Sequence, residues 1–271
     1  MEDSFGHHIS YLRISVTDRC NERCAYCMPN EFQEWLPRDG VMSYEEILRV
    51  VRIAVDLGVT KIRVTGGEPL TRRDVIPFIK GLSQIDGIKD LGITTNGTLL
   101  SRPVGNFKTA AAALLDAGVR TVNVSLDTLN ERKYVAITGR PYLNRVIEGI
   151  DNLIGSGFEK VKINTVLMRG RNEDDLLELV DFSHQRKLLL RFIEMMPVSS
   201  NDVLKDSNFL PCGEVIKFLS DTFGQLQSRS DYKTNGPASY YMIPERDQLI
   251  GFIGAMTNFH FCESCNKLRL T

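Results

Sequence analysis

Short runs of β-branched and aliphatic residues alternate along the chain with longer stretches in which apolar residues recur every three or four positions. The short runs are typical of buried strands, and the longer stretches are typical of amphipathic helices. After the first run, the strand candidates recur about every thirty to forty residues, the length of one strand–helix unit. The predicted strands are Leu12–Val16, Lys61–Thr65, Leu91–Thr95, Thr121–Leu126, Val161–Leu167 and Leu189–Ile193.

Helix boundaries are marked between these strands. Ser43 and Glu46 have the spacing of a capping box, and Gly58 is placed to end the helix that follows. Its predicted apolar face consists of Ile47, Val50, Val51, Ala54 and Leu57. Further helices are predicted for Lys108–Ala117 ending at Gly118, for Leu143–Ile154 ending at Gly155, and from a cap at Asn172 to about Gln185.

Repeated strand–helix units predict an α/β fold with a parallel sheet and right-handed crossovers. Six units are enough for an incomplete (β/α)6 barrel of the TIM type. In such a fold ligands bind at the carboxyl ends of the strands.

The strand–helix rhythm stops after Pro197. Residues 198–212 are polar and irregular, and a helix at Gly213–Phe223 and an antiparallel pair, Tyr240–Ile243 with Leu249–Ile253, are predicted beyond them. The sequence therefore predicts a partial barrel over residues 1–212 and a smaller C-terminal element over 213–271, laid against the barrel mouth.

Composition narrows the class of protein. Of the 271 residues, 42% are hydrophobic and 25% are charged, which is ordinary for a soluble protein. The formal net charge of −1 provides no general basic field for nucleic acid. The N-terminus lacks a signal-peptide pattern, and no run of eighteen apolar residues occurs. We therefore expect a cytoplasmic protein with neither a nucleic acid nor a membrane as a partner.

Five of the six cysteines lie in two tight groups. Cys20, Cys24 and Cys27 follow the first predicted strand, and three thiolates at this spacing can hold three corners of an iron–sulfur cluster. A structural zinc site has four protein ligands, and no fourth ligand lies close to these three cysteines in the sequence. A disulfide would leave an odd thiol. Cys212 stands alone and is best read as a small buried residue.

A Gly-Gly-Glu-Pro segment ends the second predicted strand. Gly66 and Gly67 let the backbone approach a ligand closely. By itself a Gly-Gly pair after a strand is more often a turn than a site.

Placed together, these two segments resemble the radical S-adenosylmethionine superfamily. There a Cys-x3-Cys-x-aromatic-Cys loop, here with Tyr26, holds a [4Fe-4S] cluster, and a Gly-Gly-Glu segment receives the methionine amino group. The resemblance implies that the free iron binds S-adenosylmethionine and that one electron converts it to a 5′-deoxyadenosyl radical.

Further segments resemble one family within it, the GTP 3′,8-cyclases, also called molybdenum cofactor biosynthesis protein A. The segments are 12–20, 61–70, 92–97, 122–127, 161–166, 191–197 and 261–269. The resemblance implies conversion of GTP to 3′,8-cyclo-7,8-dihydro-GTP in the first step of molybdenum cofactor biosynthesis. It also implies GTP, S-adenosylmethionine and an external electron donor as partners; a homodimer is the assembly to test.

Site residues follow from the resemblance position by position. The first cluster would be held by Cys20, Cys24 and Cys27, and S-adenosylmethionine would be lined by Tyr26, Gly67, Ser125 and Met196. GTP would contact Arg13, Arg63, Thr94, Lys162, Lys267, Leu268 and Arg269.

Plainer roles remain open for several of these residues. Met196 could fill the core and Ser125 could bond within its loop. Charges on strands are usually solvated. In a parallel sheet covered by helices, however, Arg13, Arg63 and Lys162 are expected to point into the barrel, where they would form an anion site.

The second group, Cys262-x2-Cys265, is less specific, because it also suits half a zinc site or a redox pair. In the resembling family a third cysteine follows and completes a second [4Fe-4S] cluster that binds guanine. The sequence ends at Thr271 before such a residue. Cys212 or His260 could substitute as the third ligand, but the end after a strand-like Leu-Arg-Leu-Thr indicates truncation instead. We expect a truncated chain that turns over GTP poorly. Lys267 also stands where many relatives have Arg.

Two other functions stay open on sequence grounds. A peptide-modifying radical enzyme with an auxiliary cluster would share the cysteine loop but would not need the basic strand residues. A non-catalytic metal-binding protein would have no use for the Gly-Gly-Glu segment.

Overall fold

A computed structural model shows one ten-stranded sheet flanked by helices, and it describes residues 2, 6–28, 35–196, 208–232, 236–258 and 266–271. The strands are β1 (Tyr11–Ser15), β2 (Lys61–Thr65), β3 (Asp90–Thr95), β4 (Thr121–Ser125), β5 (Lys160–Leu167), β6 (Leu189–Glu194), β7 (Gln227–Ser228), β8 (Ser239–Ile243), β9 (Gln248–Ile253) and β10 (Lys267–Leu270). The α-helices are α1 (Tyr44–Asp56), α2 (Val75–Ser83), α3 (Ala110–Asp116), α4 (Glu131–Thr138), α5 (Leu143–Gly155), α6 (Leu176–Gln185) and α7 (Cys212–Phe223).

The strand order is β10-β1-β2-β3-β4-β5-β6-β9-β8-β7. All neighbours from β10 to β9 are parallel, and β8 and β7 are antiparallel additions. The predicted strand–helix succession, the parallel sheet and the β8–β9 pair are therefore confirmed.

The sheet curls so that its first and sixth strands face each other. Tyr11 on β1 interacts electrostatically with Arg191 on β6. In a flat sheet these strands would be about 24 Å apart, since neighbouring strands are spaced by about 4.8 Å. The curled sheet is the predicted incomplete barrel.

Strand residues alternate between an apolar outer face and a polar inner face. The outer positions Ile14, Val64, Ile93, Val124 and Ile163 are completely buried against the helices. Burying each such side chain contributes about 1.5–3 kcal/mol, so this layer is the main source of stability. The inner positions are thereby left free to carry polar chemistry.

Helix ends agree with the sequence in part. Ser43 and Glu46 make both hydrogen bonds of the predicted capping box. Leu57, however, lies beyond the last helical residue and is 53% exposed, so its assignment to the apolar face was wrong. Likewise, α5 includes Gly155, which was predicted to end it. The glycine with a positive φ that follows this helix is Gly157, at 92°.

The predicted cap at Asn172 is right in position but wrong in the hydrogen bond it implies. Its side chain makes no cap bond and instead donates to the carbonyl oxygens of Asp127 and Val166, at 2.9 and 2.8 Å. A short 3-10 turn, Glu173–Asp175, precedes α6. Asn172 therefore stands at the start of this turn, but its side chain bonds to the chain near the ends of β4 and β5.

Residues after 212 contribute strands to both edges of the parallel sheet, which the sequence did not predict. Buried Glu194, at the end of β6, holds this region. It accepts hydrogen bonds from the backbone N–H groups of Cys212, Met256 and Thr257 and from the Thr257 hydroxyl, at 2.7–3.0 Å. The division at residue 212 stays a prediction. No helix in the described part of the chain is long and apolar enough to cross a membrane.

Candidate active site

The three-cysteine loop follows β1 and therefore lies at the carboxyl end of the parallel strands. Its backbone is fixed to the end of α4, because the N–H groups of Arg23 and Ala25 donate to the carbonyls of Thr138 and Ile137, both at 2.8 Å. The N–H of Cys27 donates to the Cys24 carbonyl at 2.9 Å and closes a turn. These three backbone bonds hold the loop in place.

The Gly-Gly-Glu segment supports this loop from the neighbouring strand end. The Gly67 N–H donates to the Thr17 carbonyl at 2.6 Å, and the Glu68 N–H donates to the Arg19 carbonyl at 2.8 Å. A Cβ on Gly67 would lie 2.3 Å from the Arg19 carbonyl oxygen. Only glycine fits at this position, so the pair is more than a simple turn.

Glu68 is fully buried and joins the ends of β2 and β3. Its carboxylate accepts bonds from the Thr95 hydroxyl at 2.8 Å, from the Leu70 N–H at 3.0 Å and from the Asn96 N–H at 2.7 Å. Burial raises the pKa of Glu68 to about 7, although these bonds act in the opposite direction. The carboxylate is a structural tie between two strand ends.

Cys20, Cys24 and Cys27 are all free thiols; the first two are half-buried and Cys27 is exposed. Burial raises the pKa of Cys20 to about 11, and the charges of Glu68 and Glu22 act in the same direction. A bound cation would favour the thiolates, since metal coordination deprotonates a thiol.

The surroundings of Cys20 suit a sulfur that acts as an acceptor. The Glu22 N–H points at its Sγ at 3.4 Å, and the Asn96 side-chain amide does so at 3.8 Å. Among the described residues no three His, Cys, Asp or Glu side chains are grouped to hold one metal ion. A four-iron cluster attaches each cysteine to a different iron, so the three thiols of this loop need not converge on one metal ion to hold it.

The Tyr26 side chain is oriented by the buried carboxylate of Asp127, which lies just after β4. Its hydroxyl donates to Asp127 Oδ2 at 2.9 Å, while Asp127 Oδ1 accepts from the Val166 N–H at 2.8 Å. Burial raises the pKa of Tyr26 well above its usual range and that of Asp127 to about 6. The contact fixes the last turn of the cysteine loop.

Ser125 and Met196 lie at the ends of β4 and β6. Ser125 is half-buried and paired in register with Asn164. Met196 is 42% exposed, so it does not fill the core. The neighbouring Met195 instead packs with Ile137 and Met168, in a cluster that also contacts Tyr26.

Arg63 is buried on the inner face, at 6% exposure. Its Nε donates to the Tyr11 hydroxyl at 3.0 Å and its Nη1 to the Ile93 carbonyl at 3.3 Å. Neither partner is a carboxylate. Its positive charge is therefore available to an anion.

Lys162 and Arg191 lie near Arg63 across the curled sheet. Burial lowers the pKa of Lys162 to about 7, and the charges of Arg191 and Arg63 lower it further. Both the Nε and Nη2 groups of Arg191 donate to Asn164 Oδ1, at 3.0 and 2.6 Å. Three cations thus repel one another in a site that an anion would stabilise.

The C-terminal strand brings further basic residues beside β1. Arg13 is in register with Arg63 on one side and Arg269 on the other. Burial lowers the pKa of Arg13, and the charges of Arg269 and Arg63 act in the same direction. Lys267 lies 5.5 Å from the centre of the Tyr11 ring, and Leu268 is 39% exposed.

An unsatisfied polar atom faces this group. Asn123, 9% exposed, donates to the Thr94 hydroxyl at 3.4 Å, but its buried Oδ1 has no partner among the described residues. In register it lies between Thr94 and Lys162. Buried polar atoms without partners are uncommon, and a ligand with a donor group would satisfy this one.

A cavity of about 1570 Å³ opens at the amino ends of the strands and reaches Arg63, Asp90, Thr121 and Lys162. It lies at the opposite end from the cysteine loop. The inner face between them is lined by the polar residues described above. A ligand that extends from the cysteine loop to this cavity would place its anionic group near Arg63 and Lys162.

Some residues of the site were not predicted as site residues from the sequence, namely Arg191, Asn123, Asp127 and Asn96. The alternation that marked Arg63 as inward-facing also applies to Arg191 and Asn123, so that signal was present. Cys262, Cys265 and His260 lie outside the described residues. Cys212 is buried in the main core, where burial raises its pKa to about 12.

Comparison with known proteins identifies the class. The model of the radical SAM superfamily matches residues 14–183, and the Molybdenum Cofactor Synthesis C model matches residues 188–271. SuiB from Streptococcus suis has the same fold, with a TM-score of 0.66 and 20% identity over 96% of this chain and 52% of SuiB. The chain is therefore a member of the radical S-adenosylmethionine superfamily, whose enzymes use a [4Fe-4S] cluster and S-adenosylmethionine.

More similar relatives define the family within it. A GTP 3′,8-cyclase of Thermodesulfovibrio yellowstonii is 45% identical, over 100% of this chain and 81% of its own length. One from Rhodopirellula baltica is 45% identical over 99% of this chain and 74% of its length. Molybdenum cofactor biosynthesis protein 1 of Dictyostelium discoideum is 40% identical over 100% of this chain and 42% of its length. This chain belongs to the GTP 3′,8-cyclase family.

Proposed function

We propose that this protein is a radical S-adenosylmethionine lyase that converts GTP to 3′,8-cyclo-7,8-dihydro-GTP in molybdenum cofactor biosynthesis. Family membership supports the reaction. The observation that carries the substrate assignment is the group of three cations, buried Arg63 and Arg191 with half-buried Lys162, inside the sheet that bears the cysteine loop at one end.

In this proposal Cys20, Cys24 and Cys27 hold the first cluster. With S-adenosylmethionine bound, the cluster supplies one electron that breaks the sulfonium bond and gives a 5′-deoxyadenosyl radical. Gly67 lets the methionine end approach the backbone, and Tyr26, Ser125 and Met196 line the rest of the cofactor. An external donor provides the electron.

The inner-face residues bind and orient GTP. Arg13, Arg63, Lys162 and Arg269 neutralise the triphosphate, since guanidinium and ammonium groups are the usual phosphate ligands. Thr94 and the Lys267–Arg269 stretch contact the nucleotide. The ribose would then lie toward the carboxyl strand ends, near Gly67.

The bound cofactor would supply the radical that takes hydrogen from ribose C3′. The C3′ radical would then bond to guanine C8, and a second electron from the external donor and a proton from solvent would complete the cyclic dihydro product. Cys262, Cys265 and a third ligand are proposed to hold a second [4Fe-4S] cluster that receives the guanine. Homodimerisation stays a prediction.

The test is anaerobic incubation with S-adenosylmethionine and dithionite, with GTP, with ATP or with no nucleotide. We expect 5′-deoxyadenosine to form much faster with GTP than with ATP, and Arg63→Ala to remove most of the stimulation. Formation at the same rate with and without GTP would contradict the substrate assignment.

A further inference from the structure

The side-chain amide of Asn96 lies beside the first cysteine of the loop, although it comes from another strand end. Asn96 directly follows β3, and its Nδ2 is 3.8 Å from Cys20 Sγ. Because hydrogen bonds to the sulfurs help to set the potential of an iron–sulfur cluster, this contact has a chemical consequence.

The orientation of this amide is fixed by its other partners. Asn96 Oδ1 accepts from the Thr98 N–H at 3.1 Å and from the Thr98 hydroxyl at 2.7 Å. A backbone N–H can only donate, so the atom facing it must be the oxygen. The Nδ2 group, with its two hydrogens, therefore faces Cys20.

A closed ring of hydrogen bonds holds the amide in place. Asn96 Nδ2 donates to Asn21 Oδ1 at 2.9 Å, Asn21 Nδ2 donates to the Thr98 hydroxyl at 2.8 Å, and that hydroxyl donates back to Asn96 Oδ1. Every donor in the ring has an acceptor. Such rings are mutually reinforcing, so the side chain is held in one orientation.

One Nδ2 hydrogen is used by Asn21, which leaves the other for the acceptors near Cys20. The carboxyl group of buried Glu22 also accepts from Asn96, so Cys20 and Glu22 share this side of the amide. The backbone of Asn96 is anchored independently, through its bond to Glu68. The Gly-Gly-Glu segment, the loop after β3 and Cys20 are thus one connected unit.

We propose that Asn96 is a positioning residue that donates a hydrogen bond to the Cys20 thiolate and raises the reduction potential of the first cluster. The donated bond stabilises negative charge on sulfur, and the reduced cluster carries one more electron than the oxidised one. Reduction is therefore easier with the bond than without it. This inference rests on the proposed function only in requiring that Cys20 bind the cluster.

The test is an EPR-monitored redox titration of the reconstituted protein without GTP or S-adenosylmethionine. We expect Asn96→Ala to reduce the equilibrium constant for cluster reduction about tenfold, which corresponds to the energy of one hydrogen bond to a charged group. For a one-electron couple this is a fall in reduction potential of about 59 mV. Asn96→Asp keeps the oxygen facing Thr98 but loses the donor, and its potential should fall at least as far. Asn144→Ala, at an exposed helical position, is the matched control and should leave the potential unchanged.

Thr98→Ala separates loss of the donor from loosening of its support. It opens the hydrogen-bonded ring but keeps the Asn96 amide and the backbone N–H that orients it, so its potential should fall by less than that of Asn96→Ala. An unchanged potential in iron-replete Asn96→Ala, or an equal fall in Thr98→Ala, would overturn the proposal. Loss of iron from both Asn96 variants would also overturn it, because three thiolates do not depend on one weak bond. A Cys20→Ala protein that kept its cluster would instead contradict the proposed ligand set.

Discussion

The guanidinium of Arg63 lies directly against the α-carbon of Gly92 on the neighbouring strand. A Cβ at that position would be 2.7 Å from Arg63 Cζ and 2.8 Å from its Nη1. Arg63 can lie flat across the inner face only because Gly92 has no side chain. The direction of one cation is therefore set by the residue beside it.

Gly92→Ala should displace this guanidinium and weaken GTP binding. We expect the KM for GTP to rise about tenfold, the value of one charge-assisted contact. The slow formation of 5′-deoxyadenosine without GTP should be unchanged. Gly155→Ala is the matched control, because a Cβ there meets nothing within 4 Å. An unchanged KM in Gly92→Ala would show that the position of Arg63 is unimportant for substrate.

Tyr26→Phe should destabilise the fold. The change removes the hydroxyl that donates to Asp127 Oδ2 and leaves that buried oxygen without its partner. The free energy of unfolding, measured by urea titration, should fall by about 1–3 kcal/mol. Tyr232→Phe, which changes a 40% exposed ring, should have almost no effect. Equal stabilities of the two variants would contradict the structural role of the contact.

GTP binding should be accompanied by proton uptake at Lys162. The pKa of this residue is about 7 without ligand, so much of it is neutral above that pH. A bound triphosphate favours the charged form and raises the pKa. Affinity for GTP should therefore fall as pH rises above 7, by up to about tenfold per unit.

Calorimetry in buffers of different ionisation enthalpy measures this uptake. Lys162→Met should abolish it, whereas Lys217→Met, on the exposed surface of α7, should keep it. Identical proton uptake by unmodified protein and Lys162→Met would place the titrating group elsewhere.

Buried Glu68 should make the stability of the metal-free protein depend on pH. Its pKa is raised to about 7, so the protonated form is favoured in the folded state. The stability that this protonation contributes is fully present below about pH 4.5 and is lost as pH rises through 7. Relative to Glu68→Gln, the unmodified protein should lose at most about 3 kcal/mol over this range.

Urea titrations of both proteins between pH 5 and 8 measure this difference. Glu46→Gln is the control, since the pKa of this exposed carboxyl is lowered by hydrogen bonds to Ser43 and it titrates below the range. A stability difference for Glu68→Gln that did not vary with pH would show that the carboxyl is ionised throughout.

Local patterns predicted most of the sheet and the position of the cysteine loop. The β-branched runs predicted β1 to β6, and Arg63 could be placed inside because strand residues alternate between faces. The cap position of Asn172 was predicted, but its side-chain bond to Asp127, 45 residues earlier, is one that no local pattern reveals. Leu57 was misread because it follows the last turn of its helix.

Pairings between distant segments could not be predicted from local patterns. β10 lies beside β1, about 250 residues earlier in the chain, and brings Arg269 next to Arg13. The Asn96–Cys20 contact likewise depends on how two loops approach each other. Such contacts are determined by the packing of the whole sheet, so the sequence indicated the chemistry but not these partners.

The proposed reaction is tested most directly by following the hydrogen at ribose C3′ of GTP into 5′-deoxyadenosine. The protein is incubated anaerobically with S-adenosylmethionine, dithionite and GTP carrying deuterium at ribose C3′, and the 5′-deoxyadenosine is analysed by mass spectrometry. We expect one deuterium in 5′-deoxyadenosine, and none when the label is at C2′. 5′-Deoxyadenosine that forms without deuterium from C3′-labelled GTP would contradict it.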